Sequence, residues 1–580
     1  MSKTPKYDAK VSQILDSLQP GERVCDLSGK KWEMTEREIG WYKKFNVPPS
    51  KYSPLMRQKL EHSYFIMNSV WYNKHYDTGE PVPATTHPAS GIRVLPDKEW
   101  FDRDFTSLAQ ELEIDQPFFD QLYKLSRAVP RAAGFNYVPP ENSVAFISFG
   151  DKDSYFVIAC KSKRTYHSQN AYEVEDCAEM TLSNNAQNCY QILRSDRAFN
   201  CKFLYECKDC VDCVFSFDCR NCEKCFGATN KRNKKYLFFN EQLSAEQWEA
   251  RVAKIDLSSY QVRQEYEQKY LDLIRQAVWP ENWSINAEDS TGDYLYDVSN
   301  CYNCYYTSAP GSRDCEDCTY FEGGPSQGCY SIAATINSSN CYYGIGVEGS
   351  NLLFGMSINV KCDTCEYCEL CYECSFCFGC TGLRHKKYCI LNQQYTEQEY
   401  WKILDQLKCV MLERGEYGDM PPAYFSTQVF EHSGAAIMFG ADETDKKALQ
   451  ANDIKPADEG AEGPDLESAP AHSTDEIPDR IAASDIDEIA GKVFLDREIG
   501  RRFSYIKPEL ELYLKLGIAP PRIHFTSRAN GGQHKLNMPI FHEEKCHQCA
   551  KVVSVADNLT FPERKIFCKP CYLTYLEQYG

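Results

Sequence analysis

The stretch CDTCEYCELCYECSFCFGC, from Cys362 to Cys380, carries seven cysteines, each three residues after the last. A helix cannot present them together, because each step of three turns about 300° and the set winds round the axis. A flat strand cannot either, since residues i and i+3 point to opposite faces. The chain must turn repeatedly between them, so periodicity is the next test.

The period is twelve. From Cys177 the chain reads CAEMTLSNNAQN, CYQILRSDRAFN, CKFLYECKDCVD, CVFSFDCRNCEK and CFGATNKRNKKY, with position one at Cys177, Cys189, Cys201, Cys213 and Cys225. From Cys329 it reads CYSIAATINSSN, CYYGIGVEGSNL, LFGMSINVKCDT, CEYCELCYECSF, CFGCTGLRHKKY and CILNQQYTEQEY, with Leu353 the single substitute at position one. Position two is often aromatic (Tyr190, Phe226, Tyr330, Tyr342, Phe354, Phe378), and positions four, seven and ten hold the other cysteines of the opening stretch. A strict short repeat with fixed ladders predicts a β-solenoid, one coil per repeat, stacked at about 4.8 Å. So short a coil has a thin interior, and cysteine is a small apolar filler. Columns of buried thiols are the first reading. Metal binding stays open, because C-x2-C is also the bite of zinc and iron–sulfur sites, although the ferredoxin run ending in x3-C-P is absent. Disulfides within a coil stay open too; they would resemble the insect antifreeze β-helix, whose Thr-x-Thr column is missing here.

The bulk numbers agree with a multidomain, β-rich protein. A chain of 580 residues exceeds one core. Its net charge of −19 argues against coating nucleic acid or anionic membrane along its length. No apolar run is long enough to span a bilayer, and the start, MSKTPKYDAKVSQILDSLQP, has no secretory h-region. A cytoplasmic protein is the expectation, and a reducing cytosol favours thiols and metal sites among the 30 cysteines.

Both halves of the chain occur twice. CFGATNKRNKKYLFFNEQLSAEQW matches CFGCTGLRHKKYCILNQQYTEQEY without a gap, and Ser244 with Gln247, and Thr396 with Glu399, then read as capping boxes. Helices there would cover the open ends of the solenoids. The basic residues of these endings, Arg232, Lys234, Lys235, Arg384, Lys386 and Lys387, read as a solvated outer turn or, alternatively, an anion site. At an offset of 471, WEMTEREIGWYKKFNVPPSKYSPLMR matches FSYIKPELELYLKLGIAPPRIHFTSR, with Glu38, Tyr42 and Arg57 meeting Glu509, Tyr513 and Arg528.

The C-terminal copy continues into CHQC and CKPC. Two such knuckles supply the four corners of a tetrahedral site, so Cys546, Cys549, Cys568 and Cys571 are expected to hold one structural zinc, closed to catalysis. The N-terminal copy has His75, Thr78, Asp97 and Trp100 at those positions. Only His75 and Asp97 could ligate, so that copy should fold without zinc, with Trp100 as core. Cys25 reads as structural. DQPFFDQLYKLSRAVPR has Phe118, Phe119, Leu122 and Leu125 at helical spacing.

The resulting parse is a degenerate zinc-ribbon-like module (20–105), a helical connector (106–139), a first Cys-rich β-solenoid (140–243), a capping helix and connector (244–290), a second solenoid (291–395), a capping helix (396–415), an acidic disordered tether (416–487) and a zinc-ribbon module (488–580). The Cys-Phe-Gly, Lys-Lys-Tyr and Asn-x-Gln solenoid ending, PFFDQL with VPR, the ENS that follows and the Pro-Pro module leading to the ribbon together resemble a family. Its members are cysteine-rich, zinc-ribbon-containing β-solenoid proteins of candidate-phyla (ultra-small) bacteria. The resemblance implies this parse and a bacterial cytoplasmic setting, and no activity.

No P-loop, dinucleotide fingerprint, HExxH or Gly-x-Ser-x-Gly occurs, and no catalytic constellation is found. The expectation is a non-enzymatic binding scaffold with a protein partner and no membrane contact. Nucleic-acid or ribosome association through basic residues 488–580 is the first alternative. An iron–sulfur or thiol-redox role of the solenoid cysteines is the second.

Overall fold

In the most cysteine-dense part of each cysteine-rich region the backbone bends at every third residue. Lys361, Thr364, Tyr367, Leu370, Glu373 and Phe376 have φ between 50° and 54°, each immediately before a cysteine. Asp209, Asp212, Phe215, Asp218, Asn221 and Lys224 repeat the pattern with φ between 48° and 56°. The structure, a computed structural model, describes residues 2–179, 181–184, 193–196, 206–307, 310–322, 325–336, 341–456 and 460–580. Cys189, Tyr190 and Cys201 of the twelve-residue frame lie outside the described residues.

Left-handed backbone is uncommon outside glycine, and Asn and Asp tolerate it best. At Thr364 or Phe376 it persists only because the surroundings hold it. The Glu373 N–H donates to the Val360 carbonyl, thirteen residues back, at 2.8 Å, and the Asp363 N–H donates to the Cys374 carbonyl, eleven residues on, at 2.9 Å. Each bend is thereby tied to the repeat on either side. Parallel strands pair at an offset of twelve: Cys365 lies opposite Cys377, Cys377 opposite Cys389, and Val214 opposite Phe226. Bridges at Lys208↔Arg220 and Val211↔Glu223 repeat that offset on neighbouring segments.

The register also varies. Ile285 pairs with Tyr296 and Cys301 with Cys315, offsets of eleven and fourteen. A shift between Val347 and Gly349 moves the pairing from twelve to thirteen. Leu352, not Leu353, therefore lies opposite Cys365 and joins the cysteine core, while Leu353 packs outside it. The strict frame misassigns this position because a one-residue bulge flips every side chain after it.

The thiols point inward. Cys371 Sγ lies 3.6 Å from the Glu369 carbonyl and 3.5 Å from that of Cys380, and Cys362, Cys365, Cys368 and Cys374 repeat the geometry. Burial pushes the Cys160, Cys207, Cys304 and Cys368 thiols well above their usual range. At neutral pH these are packed thiols, not thiolates, and so poor nucleophiles.

Outside the cysteine core, Tyr330 stacks on Tyr342 with centroids 5.3 Å apart, and Tyr342 meets Phe354 edge-on at 5.5 Å. Helices Glu36–Phe45, Pro54–His62 and Phe118–Ala128 cover this face of the second sheet, which runs from strand Ile285–Glu288 to Gln393–Gln394; the strands from Val144–Phe146 to Glu241–Gln242 make up the first. Phe118, Leu122 and Leu125 are buried as their spacing predicts, and Phe118 lies 5.0 Å from Phe378. The matching helices Lys507–Leu516 and Phe525–Gln533 lie on the first sheet instead. Both capping boxes form and start helices Ala245–Val252 and Glu397–Arg414.

Composition predicts a disordered tether over 416–487. The described residues 416–456 are packed instead, with Phe425, Phe430, Met438, Phe439 and Leu449 buried, while 460–487 is largely exposed or half-buried and anchored by buried Ile477, Ile481 and Ile486. Helix Gly434–Phe439 sits against both Pro54–His62 and Phe525–Gln533. The acids that suggest disorder serve local structure: Asp442 closes a capping box with Asp445, and Ser473 does so with Glu476.

The residues shared by the duplicated helix pairs form a buried polar cluster in each copy. Arg57 donates to Glu38 at 2.8 Å, to the Tyr42 hydroxyl at 2.9 Å and to Tyr330 of the second sheet. In the other copy Arg528 binds Glu179 of the first sheet, and Tyr513 donates to Glu179 at 2.8 Å and Glu509 at 3.2 Å. Beside Arg57, burial with Glu316 nearby pushes the Asp317 carboxyl up to about 7, against the pull of Arg57 3.7 Å away.

Three outcomes follow from this packing. Cys368→Leu should lower stability by about 1–3 kcal/mol through overpacking, and native alkylation followed by mass spectrometry should leave Cys362–Cys380 unlabelled. Arg57→Met strands buried Glu38 and should cost about 3–5 kcal/mol in urea unfolding. Asp317 binds its proton more tightly folded than unfolded, so its contribution to stability grows as pH falls from about 7 toward the ordinary carboxylate range and is lost above about 7. The difference between wild type and Asp317→Asn should show that slope in urea midpoints between about pH 5 and 8.

Candidate metal centre

The hairpin Phe541–Lys545 with Val552–Ala556 ends in a tight knuckle. The Cys546 N–H donates to the Lys551 carbonyl (2.8 Å), and the Ala550 N–H donates back to the Cys546 carbonyl (2.9 Å). Ala550 takes the left-handed conformation that this turn needs (φ 61°). The second pair stands at the start of helix Lys569–Tyr579, with Cys568 as its N-cap. All four Sγ atoms lie within 4.8 Å of one another, and Cys549 and Cys568 are 3.6 Å apart. A tetrahedral four-thiolate zinc site has S···S edges of about 3.8 Å, given Zn–S bonds near 2.3 Å, so the spacing fits.

The thiols are tuned unevenly: contact with Cys568 pushes Cys571 up to about 12 and burial raises Cys568, while Cys546 is held low. Burial opposes ionisation of Cys546, but N–H groups of Cys568, Cys549 and Gln548 outweigh it and hold the thiol at about 6. Cys546 and Cys568 are buried, while Cys549 is exposed and Cys571 half-buried. Four thiols closing on one point can supply all four corners of a tetrahedral metal site.

The ribbon is docked to the body. Strand Lys565–Phe567 pairs in parallel with Val278–Pro280, and Trp279 is fully buried beside it. Arg232 donates to Asp218 (2.8 Å) and to the Tyr572 hydroxyl (3.2 Å), and Tyr572 itself donates to Asp218. The equivalent ending of the second sheet meets the N-terminal module: Arg384 lies 4.8 Å over the Trp100 ring, and Lys386 pairs with Asp104 at 2.9 Å. Lys235 pairs with Glu223 at 2.5 Å. Arg232, Lys235, Arg384 and Lys386 are thus engaged within the chain and are not gathered round a common point. Lys234 and Lys387 border the same endings.

The N-terminal copy keeps the knuckle without the thiols. His75 N–H donates to Glu80 (2.8 Å) and Gly79 N–H to His75 (3.0 Å), and Cys25 with Gly29 and Lys30 repeats the turn. Burial opposes ionisation at Cys25, but Ser28 and Ser53 hold its thiol below the usual range. His75 Nδ1 accepts the Asp77 and Thr78 N–H groups, which leaves Nε2 to donate to Glu99 at 3.1 Å. Asp77 is forked by Arg103. The sequence reading names Asp97 as the second possible ligand. The structure corrects this: Asp97 accepts the N–H groups of Gly134, Phe135 and Asn136 instead. Glu99 and Asp77 are the acids grouped with His75, and the offset of 471 could not point to them, since it sets them opposite Pro570 and Gln548. Trp100, at the Cys571 position, is fully buried and donates to the Pro130 carbonyl at 2.9 Å.

No family model, curated protein or solved structure matches this chain. Among the described residues no helix is long and apolar enough to cross a membrane. Its class is therefore defined by the site and fold alone: a multidomain, strand-rich protein with a four-cysteine cluster able to hold a metal ion.

If the cluster holds the ribbon in place, Cys546→Ser/Cys568→Ser should lose bound metal by elemental analysis. Amide exchange should also rise at Glu281, whose N–H donates to the Phe567 carbonyl of the ribbon at 2.9 Å. A wild-type exchange pattern in the metal-free variant would show the docking to be independent of the site.

Proposed function

We propose that the protein is a non-catalytic scaffold, built on two β-solenoids with twelve-residue coils and stabilised by one structural zinc. The carrying observation is the docking of the ribbon: its strand Lys565–Phe567 is part of the body's hydrogen bonding, and its closed four-thiol site offers no open coordination position. Parallel pairing at twelve-residue offsets, with inward thiols, supports the solenoid reading. Rigid stacked repeats present extended surfaces, which suits a protein partner. Thiols packed in this number suit a reducing compartment.

Two observations weigh against the other readings. Much of the basic character of residues 488–580 is consumed internally. Arg501 binds Glu462, Arg502 binds the carbonyls of Leu466, Glu467 and Ala469, Arg528 binds Glu179, and Arg564 binds the Ala556 carbonyl. Seven basic residues stay exposed, Arg497, Lys507, Lys515, Lys545, Lys551, Lys565 and Lys569, and of these Lys507 pairs with Asp487 and Lys515 with Asp176. A redox role would need accessible, electropositive thiols, and the core cysteines are buried.

The tagged full-length chain should retain a protein from lysate at a stoichiometry that survives nuclease treatment, and elemental analysis should find one zinc and no iron. Salt-sensitive binding of RNA or DNA by the full chain, with no retained protein, would favour the nucleic-acid reading and remove this one.

A further inference from the structure

The two copies of the helix pair differ at one place that shapes a cavity. In the N-terminal copy, Leu60 and Glu61 of helix Pro54–His62 are buried against the second sheet, and Glu61 accepts the Ala333 and Gly344 N–H groups at 2.8 Å each. The offset of 471 puts Gly531 and Gly532 at these positions in helix Phe525–Gln533. Glycine inside a helix is unfavourable, and a side chain at Gly531 would meet nothing within 4 Å. Both glycines line a cavity of about 330 Å³ between this helix, helix Tyr260–Gln276 and the first sheet.

The walls of this cavity carry an excess of positive charge. Arg263, Arg522, Arg528 and Lys535 face two carboxylates, Glu179 and Glu267. Glu179 is bound to Arg528 and Tyr513, and Glu267 lies 3.9 Å from Lys535. Arg522 is half-buried and held over the Tyr260 ring at 4.0 Å, with one amino group on the Ile477 carbonyl. Such anchoring fixes a guanidinium for forked recognition of an oxyanion. Phe215, Tyr270 and Ile274 supply an apolar wall. His167, which also lines the cavity, is 5 % exposed; its Nε2 pairs with Glu509 at 3.2 Å and its buried Nδ1 has no hydrogen-bond partner. The volume, the apolar wall and a few convergent polar groups match small-molecule sites.

We propose that this cavity is a binding site for a small ligand with an oxyanion headgroup, phosphate or carboxylate, and an apolar portion, and that the missing Leu60 and Glu61 side chains are what open it. The inference does not depend on the scaffold reading. Inorganic phosphate and, in a second arm, succinate are titrated calorimetrically into the zinc-loaded full chain in a buffer free of other oxyanions. At least one should bind saturably at one site per chain. Arg522→Gln should weaken that binding at least tenfold, and Gly531→Leu/Gly532→Glu should abolish it while leaving the melting temperature unchanged or higher. Absence of saturable binding in both arms overturns the proposal. So does undiminished binding by either a folded refilled variant or Arg522→Gln, which keeps the cavity and serves as the test should the refilled variant misfold.

Discussion

A left-handed residue at every third position is the constraint from which the body of this protein follows. Each such residue carries strain on the order of 1 kcal/mol or more, and nothing within a single repeat relieves it. Relief comes from the hydrogen bonds to the repeats on either side, such as Glu373 to Val360 and Asp363 to Cys374. A lone repeat is therefore unstable, and each added one steadies its neighbours. With three residues per side, one side chain per bend points inward, and the space admits only small groups. Cysteine fits in volume, and its thiol, a weak donor, lies beside the carbonyls two residues before it and nine after it. The same constraint explains the endings. Leu237–Phe238 and Lys387–Ile390 each fold back into an antiparallel strand, Glu241–Gln242 and Gln393–Gln394, before the capped helices begin. An exposed last repeat would otherwise leave an open edge.

What could be read from the sequence tracks what is local. The period of twelve, the capping boxes at Ser244 and Thr396 and the paired knuckles at Cys546 and Cys568 all depend on neighbours in the chain. The Asp and Asn residues preceding cysteines, as at Asp209, Asp212 and Asn221, were an additional legible mark of left-handed bends. The bulge near Gly349 was not legible, because GVEGSNLL carries no residue that forces it. The packing of 416–487 was hidden by averaging: acids, Ala, Pro and Gly make up most of it, yet Phe430, Met438 and Phe439 are the ones that decide. Least legible was the docking of each module on a distant sheet, since Tyr330 meets Glu38, and Glu179 meets Arg528, across 292 and 349 residues of sequence.

The duplicated modules show how one backbone is held by different chemistry. The knuckle turn at His75 keeps the hydrogen bonds of the turn at Cys546, so the turn itself needs no metal. In one copy four thiols converge behind it. In the other, His75 with Glu99, Asp77 with Arg103 and the buried Trp100 occupy the equivalent region. A small hydrophobic core, a hydrogen bond from His75 to Glu99 and the ion pair of Asp77 with Arg103 thus occupy the place a metal would fill, and the polar contacts, being partly exposed, contribute less than the indole does.

The connections of these modules determine how the whole chain holds together. In the N-terminal module, Val94–Leu95 pairs with Arg131–Ala132, the segment leading into the first sheet, while the helices of that module cover the second. In the C-terminal module, Lys565–Phe567 pairs with Val278–Pro280, which leads into the second sheet, while its helices cover the first. Each module therefore grips both sheets, and the two grips are reciprocal. Separating the sheets would cost each module either its strand pairing or its helix–sheet contact, and in the C-terminal copy the latter carries the buried pair Glu179 with Arg528. Helix Gly434–Phe439, wedged between the two helix pairs, adds a third tie at the centre. Burying a charge without its partner costs several kcal/mol, so the interlock resists partial opening more than its apolar area alone would. The duplication thus ties each cysteine-rich region to both modules, with the four-cysteine ribbon built into the joint.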